Sequence, residues 1–250
     1  MLQLLRLGAL ALLVLRYRLK AIGVFLGVVI VCLALTFTGG KIYQHLDRGA
    51  DRGAIAMPES AFGESYNTPV YLDQGWSPAD SLWYYNTTQG SALIPYDLFV
   101  SLEQADSETL FRDNRNMDRF RYLPQKPSFF NPDGLPVGFA RDTYQGKDYM
   151  GFTCAACHTG QINYQGQAIR IDGGPAMADM LGFLGGLEKA LTQSRDKPAK
   201  RRHLVERVLA RDNDYSSAEQ VEVDLERWTR RIQRYNRINQ SHVDYGYARL

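Results

Sequence analysis

The sequence predicts a mainly α-helical domain with one short β-hairpin and long shaped loops, preceded by a single N-terminal transmembrane helix. Three observations predict it. An 18-residue stretch near the N-terminus carries no charge, the last third reads as capped amphipathic helices, and the middle is rich in proline and glycine with one alternating apolar pattern. With 45% hydrophobic and 22% charged residues among 250, the chain has apolar material for a sizeable core.

The uncharged stretch "AIGVFLGVVIVCLALTFT" occupies residues 21–38. At about 1.5 Å per residue, 18 helical residues nearly match a hydrocarbon core of about 30 Å. Arg16, Arg18 and Lys20 stand just before it, and Gly39, Gly40 and a polar chain follow. The positive-inside bias therefore puts the N-terminus in the cytoplasm and everything after residue 40 in the periplasm, as a single-pass inner-membrane protein. The alternative is a secreted protein released by signal cleavage. A signal core is usually only about 7–15 residues, however, and "LALTFTGG" is a poor small-residue cleavage site. Residues 1–20 contain "LLRLGALALLVL", too short to cross alone and interrupted by Arg6, so they are expected in the cytoplasm or along the inner surface. Cys32, inside the span, reads as a small apolar side chain.

Residues 39–75 mix charge with Gly and Pro and read as a linker, so the folded domain is expected over 76–250. Ser77-Pro78-Ala79-Asp80 supplies an N-cap, a first-turn proline and an early acid, opening a helix through "SLWYYNTTQ" that stops at Gly90. A second helix, "PYDLFVSLEQ", is expected from Pro95. The proline-rich run "PQKPSFFNPDGLPVG", residues 124–138, is a shaped loop. "QINY" and "QAIRID" flank Gln165-Gly166 as a hairpin, and "AMADMLGFLGGLEKAL" follows as an apolar helix. The last helix, "SSAEQVEVDLERWTRRIQRYNRI", is expected to open with a capping box from Ser216 and Glu219, its arginines forming a water-facing stripe.

Charge excludes one broad class of partner. Residues 1–40 hold four of the 29 basic side chains and no acid, leaving 25 basic against 27 acidic residues beyond them. The exported part thus lacks the basic excess that nucleic-acid binding needs.

The chemistry-bearing feature is "GFTCAACHTG", where Cys154 and Cys157 stand three apart and His158 follows at once. With only 3 Cys and 4 His in the chain, coincidence is a poor account. Covalent haem c needs two thiols to add to the vinyl groups on one porphyrin edge and an imidazole reaching the iron from the same turn; C-x-x-C-H supplies them. Three other readings compete. A zinc corner needs four ligands, and His203 and His242 lie more than forty residues away. A redox dithiol expects a buried strand and a βαβ context, whereas "GKDYMG" before the motif reads as polar and turn-like. A disulfide across so short a loop is strained.

The run "LPVGFARDTYQGKDYMGFTCAACHTGQINYQGQAIRIDGGPAMAD", with "LWYYNTTQGSALIPYDLFVSL" and "VDYGYARL", resembles the exported c-type cytochromes related to latex rubber oxygenases and, more distantly, di-haem cytochrome c peroxidases. The resemblance covers the chain from about residue 68 and implies a cytochrome c-like haem domain. It also implies that Cys154 and Cys157 hold the first of two haems, with His158 as proximal iron ligand and a peroxide, dioxygen or an internal side chain on the other face. The sequence departs from that pattern: it has no second C-x-x-C-H, and it ends where such relatives continue. Two functions follow as expectations. One is the first-haem part of a peroxidase- or dioxygenase-like oxidoreductase, whose partner is a second haem domain; the other is a mono-haem electron carrier serving a redox partner protein.

A sixth ligand is not assigned. Met150 stands too near the cysteines to swing across the ring, Met177 and Met180 read as core packing, His203 and His242 as surface or capping histidines, and His45 follows the membrane closely. Arg141 and Arg170 are candidates to pair with haem propionates, and Trp83, Trp228 and the tyrosines to line a haem pocket.

Overall fold

The computed structural model describes residues 2–46 and 53–239, and the chain divides into two compact units, Met1–Arg48 and Gly49–Leu250. The first is a helix, α1 (Leu2–Leu46). Within it, Arg16–Ile42 is 27 residues long with a mean hydropathy of 2.6, long and apolar enough to cross a membrane or to act as a signal sequence. The helix runs unbroken through residue 21 and past Gly39-Gly40. The local reason is composition: "LLVLRYRLKAIG" contains no proline and is built from good helix formers.

The second unit is mixed α/β, which corrects the expectation of a mainly α, cytochrome c-like domain. Among the described residues it holds two three-stranded sheets. One joins β1 (Thr68–Tyr71), β6 (Gln167–Asp172) and β5 (Thr159–Tyr164), with β1 parallel to β6 and β5 antiparallel to it. The other joins β2 (Ile94–Pro95), β4 (Lys147–Phe152) and β3 (Phe139–Tyr144), all antiparallel.

The expected hairpin around Gln165-Gly166 is β5–β6, and both turn residues have positive φ, 47° and 79°, as a tight two-residue turn requires. The second hairpin, β3–β4, was not anticipated. Its far half stands in solvent and is held by polar pairs, with Arg141 and Thr143 both bonded to Asp148, so "RDTYQGKD" lacks the apolar alternation that marks a strand. Only Phe139, Ala140 and Met150 to Phe152 are buried.

The fold also takes in part of the expected linker. Met57 and Tyr66 exchange backbone hydrogen bonds of 3.0 and 2.9 Å and bury against Ala168, and Val70 pairs with Ile169. The folded unit therefore starts by Gly53 rather than at Trp76, because an edge strand with one buried side looks polar in sequence.

The helices follow their caps. In α2 (Pro78–Asn86) the Ser77 and Asp80 capping box forms as expected. α3 (Tyr96–Ser101) is shorter than the expected ten residues, and α4 (Asn114–Asp118) is an unanticipated single turn. Next come α6 (Met180–Asp196), α7 (Pro198–Leu209) and α8 (Ala218–Asn239). In α8 the cap is displaced by one residue: Ser217 Oγ accepts from Gln220 N at 3.3 Å, and the Gln220 side chain, not Glu219, reaches back to Ser216. That register buries Val221, Leu225, Trp228 and Ile232 along one face. These helices close over a core in which Phe183 of α6 meets Phe99 of α3 and Phe139 and Phe152 of the second sheet.

Candidate functional site

The cysteine motif is the link between the two sheets. β4 ends at Phe152, one helical turn α5 (Ala155–His158) follows, and β5 starts at Thr159 without a loop. Cys154 has φ −56° and ψ −32° and begins the turn; its carbonyl accepts from Cys157 N at 3.3 Å and from His158 N at 3.0 Å. Positions i, i+3 and i+4 of a helix share a face. Cys154 and His158 are accordingly exposed and Cys157 half-buried, while Ala155 and Ala156 are 1% and 4% exposed and point inward.

Neighbours fix the turn from three sides. Gly138 O accepts from Thr153 N at 2.8 Å, and Gly138 lies so close that a Cβ there would sit 2.0 Å from Ala156 N. Cys157 O accepts from Ala176 N at 2.9 Å. The Tyr84 hydroxyl, from α2, donates to His158 O and accepts from Gly173 N at 3.2 Å. Burial pushes the Tyr84 phenol above its ordinary value, so it stays a neutral donor.

Beside the turn opens a cavity of about 690 Å³ whose wall includes Trp76, Trp83, Tyr84, Thr88, Gln89 and Cys154. This lies within the roughly 300–1,000 Å³ of small-molecule and cofactor sites. Trp76 meets Tyr84 edge to face at 4.9 Å, and Trp83 is 71% exposed. Such a wall offers an apolar, planar partner to a large flat ligand.

The chemistry narrows the readings of the motif. Both cysteines are free thiols. Burial, with Cys154 adding to it, pushes the Cys157 thiol up. The strand before the motif does exist, contrary to the turn-like reading of "GKDYMG", but it belongs to an antiparallel hairpin rather than a βαβ unit. Among the described residues no group of three His, Cys, Asp or Glu side chains is arranged to hold a metal ion. His203 is held 3.0 Å from the buried Glu103 by Nδ1, away from the cysteines in the hydrogen-bond network of α7.

The structure distributes the other candidates elsewhere. Arg170 is fully buried, its guanidinium bonding Gln161, Tyr71 and Pro124 O at 3.0, 3.3 and 3.0 Å, and Arg141 pairs with Asp148. Neither faces the motif as a propionate partner. Met150 is fully buried in β4, Met180 packs on the main core, and Met177 is exposed ahead of α6 rather than on it. Trp228 packs against Tyr149, so of the two tryptophans only Trp83 joins the motif. His242 and "VDYGYARL" lie outside the described residues, and His45 belongs to α1. Sequence reasoning missed Gly138 and Trp76, and it offered Tyr84 only as a pocket aromatic, not as a hydrogen-bond support of the turn; the aromatic run "LWYYN" on a capped helix was the available signal.

No protein-family model matches the chain, and no solved structure matches it. The chain is 27% identical over 216 residues to the uncharacterised protein y4iJ of Sinorhizobium fredii, an alignment that covers 72% of this chain and 34% of that protein. The chain thus spans about a third of the length of this relative.

Proposed function

We propose that this chain is the haem-bearing part of a membrane-anchored, periplasm-facing c-type cytochrome with one covalent haem. Cys154 and Cys157 would hold the porphyrin by thioethers and His158 would be the proximal iron ligand. The carrying observation is the presentation of the motif: one turn carries two thiols and an imidazole at positions i, i+3 and i+4, with Cys154 and His158 exposed, Cys157 half-buried, and Cys154 lining an aromatic-walled cavity of about 690 Å³. The residues present therefore fit the group. When bound, haem supplies one-electron chemistry at iron.

The chain's own part is positional. Tyr84 and Ala176 pin the turn through the His158 and Cys157 carbonyls, Gly138 lets the second sheet approach it closely, and Trp76 and Trp83 offer apolar cover. Outward orientation is supported by Arg16, Arg18 and Lys20 before the apolar stretch and none of their kind within residues 21–38.

The redox role we favour is the first-haem portion of a peroxidase- or oxygenase-like protein. The carrier reading predicts a different spectrum. Protein exported with the haem-ligation machinery should retain haem after denaturation. A reduced spectrum altered by carbon monoxide favours the enzyme, and sharp low-spin bands indifferent to it favour the carrier. Cys154→Ala with Cys157→Ala should abolish haem retention, and Cys32→Ala should leave it unchanged. A haem-free product from the unaltered chain, in cells that mature other c-type cytochromes, would overturn the assignment.

A further inference from the structure

Behind the motif turn lies a buried phenol and carboxylate pair. Tyr85 of α2 packs with Val137 against Ala155, one of the two residues between Cys154 and Cys157. Its hydroxyl donates to Asp172 Oδ1, and both side chains are buried. Asp172 ends β6 and is fixed beside the turn. It stands opposite Thr159, the residue after His158, and its N–H donates to Gln74 Oε1 while its carbonyl accepts from Gln74 Nε2, both at 2.8 Å.

A second contact links the pair to the histidine. The Tyr84 ring meets that of Tyr85 edge to face at 5.3 Å, and the Tyr84 hydroxyl donates to His158 O. One-electron oxidation of a phenol asks for a short path for the electron and a base for the proton. The base matters because a phenol that has lost an electron is a strong acid, and a buried unpaired charge is costly. Tyr85 has both. Burial first, then Tyr71 and Asp172, push its pKa up, so the phenol is neutral until it is oxidised. The neighbouring tyrosines lack the base. Tyr84 donates to a carbonyl, and the hydroxyl of Tyr122, buried in the core cluster on which Cys157 packs, has no hydrogen-bond partner among the described residues.

We propose that Tyr85 donates one electron to the haem iron, with Asp172 taking its proton, when a peroxide oxidises the iron. The inference rests on the haem assignment in its peroxidase-like form. Cleaving the O–O bond of hydrogen peroxide takes two electrons, one from the iron and one from Tyr85. One oxygen leaves as water and the other stays with the iron; the Tyr85 O–H proton passes to Asp172 Oδ1, leaving a neutral phenoxyl radical.

The test uses the full chain matured with the haem-ligation machinery, mixed with hydrogen peroxide and freeze-quenched. Tyrosyl radical is read by electron paramagnetic resonance, with ring-deuterated tyrosine to identify the signal, and haem retention after denaturation is measured on the same sample. The unaltered chain should give a tyrosyl signal that is lost in Tyr85→Phe, several-fold weaker in Asp172→Asn and undiminished in Tyr122→Phe. Asp172→Asn keeps the phenol and removes the base, so it decides the matter even where Tyr85→Phe fails to fold. A signal equal to that of the unaltered chain in Tyr85→Phe or Asp172→Asn, or one lost in Tyr122→Phe, would overturn the proposal. Retained haem with no tyrosyl signal in the unaltered chain would overturn the role of Tyr85 and leave the haem assignment standing. No retained haem would overturn that assignment, and the inference with it.

Discussion

Replacing Gly138 by alanine should injure the motif from behind. Two costs combine. Gly138 has φ +86°, and an L-residue in the left-handed region costs about 1–2 kcal/mol. The new Cβ would also lie 2.0 Å from Ala156 N and 2.2 Å from Ala156 Cα, backbone atoms that cannot rotate away. The turn carrying Cys154, Cys157 and His158 must retreat, and overpacking of this kind costs about 1–3 kcal/mol. Gly138→Ala should therefore lose about 2–5 kcal/mol. Gly146, in the β3–β4 turn, is the control: its φ is +74°, but nothing lies within 4 Å of a Cβ there. Gly146→Ala should lose only the backbone part, about 1–2 kcal/mol, and, on the proposed haem reading, retain as much haem as the unaltered chain. Chemical unfolding of the two variants in the same detergent, with haem stain after denaturing electrophoresis, measures both effects. Equal destabilisation of the two, with equal haem retention, would refute the claim that Gly138 exists to admit the motif turn.

Two further predictions concern the supports. Tyr84→Phe removes the donor to His158 O and the acceptor of Gly173 N–H, and should cost about 1–2 kcal/mol; faster hydrogen exchange at the Gly173 amide checks it, and an unchanged rate would remove Tyr84 from the account. Glu103, whose side chain is 1% exposed, accepts from Lys200, His203 and Arg207 of α7 at 3.1, 3.0 and 2.8 Å. Burial alone would raise its pKa, but the hydrogen bonds from Lys200 and His203 outweigh it and hold the carboxyl below its ordinary value. A depressed carboxyl contributes stability that is complete above its unfolded pKa, about 4.3, and lost as pH falls through the lower folded value. The unfolding midpoint of the unaltered chain should thus fall more steeply below about pH 4 than that of Glu103→Gln; parallel curves would show that the Glu103 cluster does not anchor α7.

What was legible in the sequence was whatever a few neighbouring residues decide. Ser77 and Asp80 cap α2 because their side chains reach only their own turn, and Gln165-Gly166 reverses the chain because the turn needs two positive φ values. The motif turn is local in the same way, since Cys154, Cys157 and His158 share a face through helical geometry alone. The misses are places where a distant partner decides. β1 is a strand because Gln167–Arg170, almost a hundred residues later, pairs with it, and "TPVY" alone carries no such instruction. β3–β4 hid because its exposed half is stabilised by Arg141–Asp148 rather than by apolar alternation. In α8, Ser216 and Ser217 each offered a cap, and the choice fell to the register that buries Trp228.

The same distinction explains how the site is built. The reactive groups come from five consecutive residues, yet what holds them arrives from three separate places: Tyr84 of α2, itself bonded by Gly173 after β6, Gly138 before β3 and Ala176 ahead of α6. Because α5 joins the two sheets with no slack on its β5 side, any shift of one sheet against the other is transmitted to the turn that carries both thiols and the imidazole. The mixed architecture therefore has a functional consequence that a purely helical packing would lack: the cysteines and histidine are held by two hydrogen-bonded sheets, and loosening either sheet should loosen the grip on whatever the motif holds.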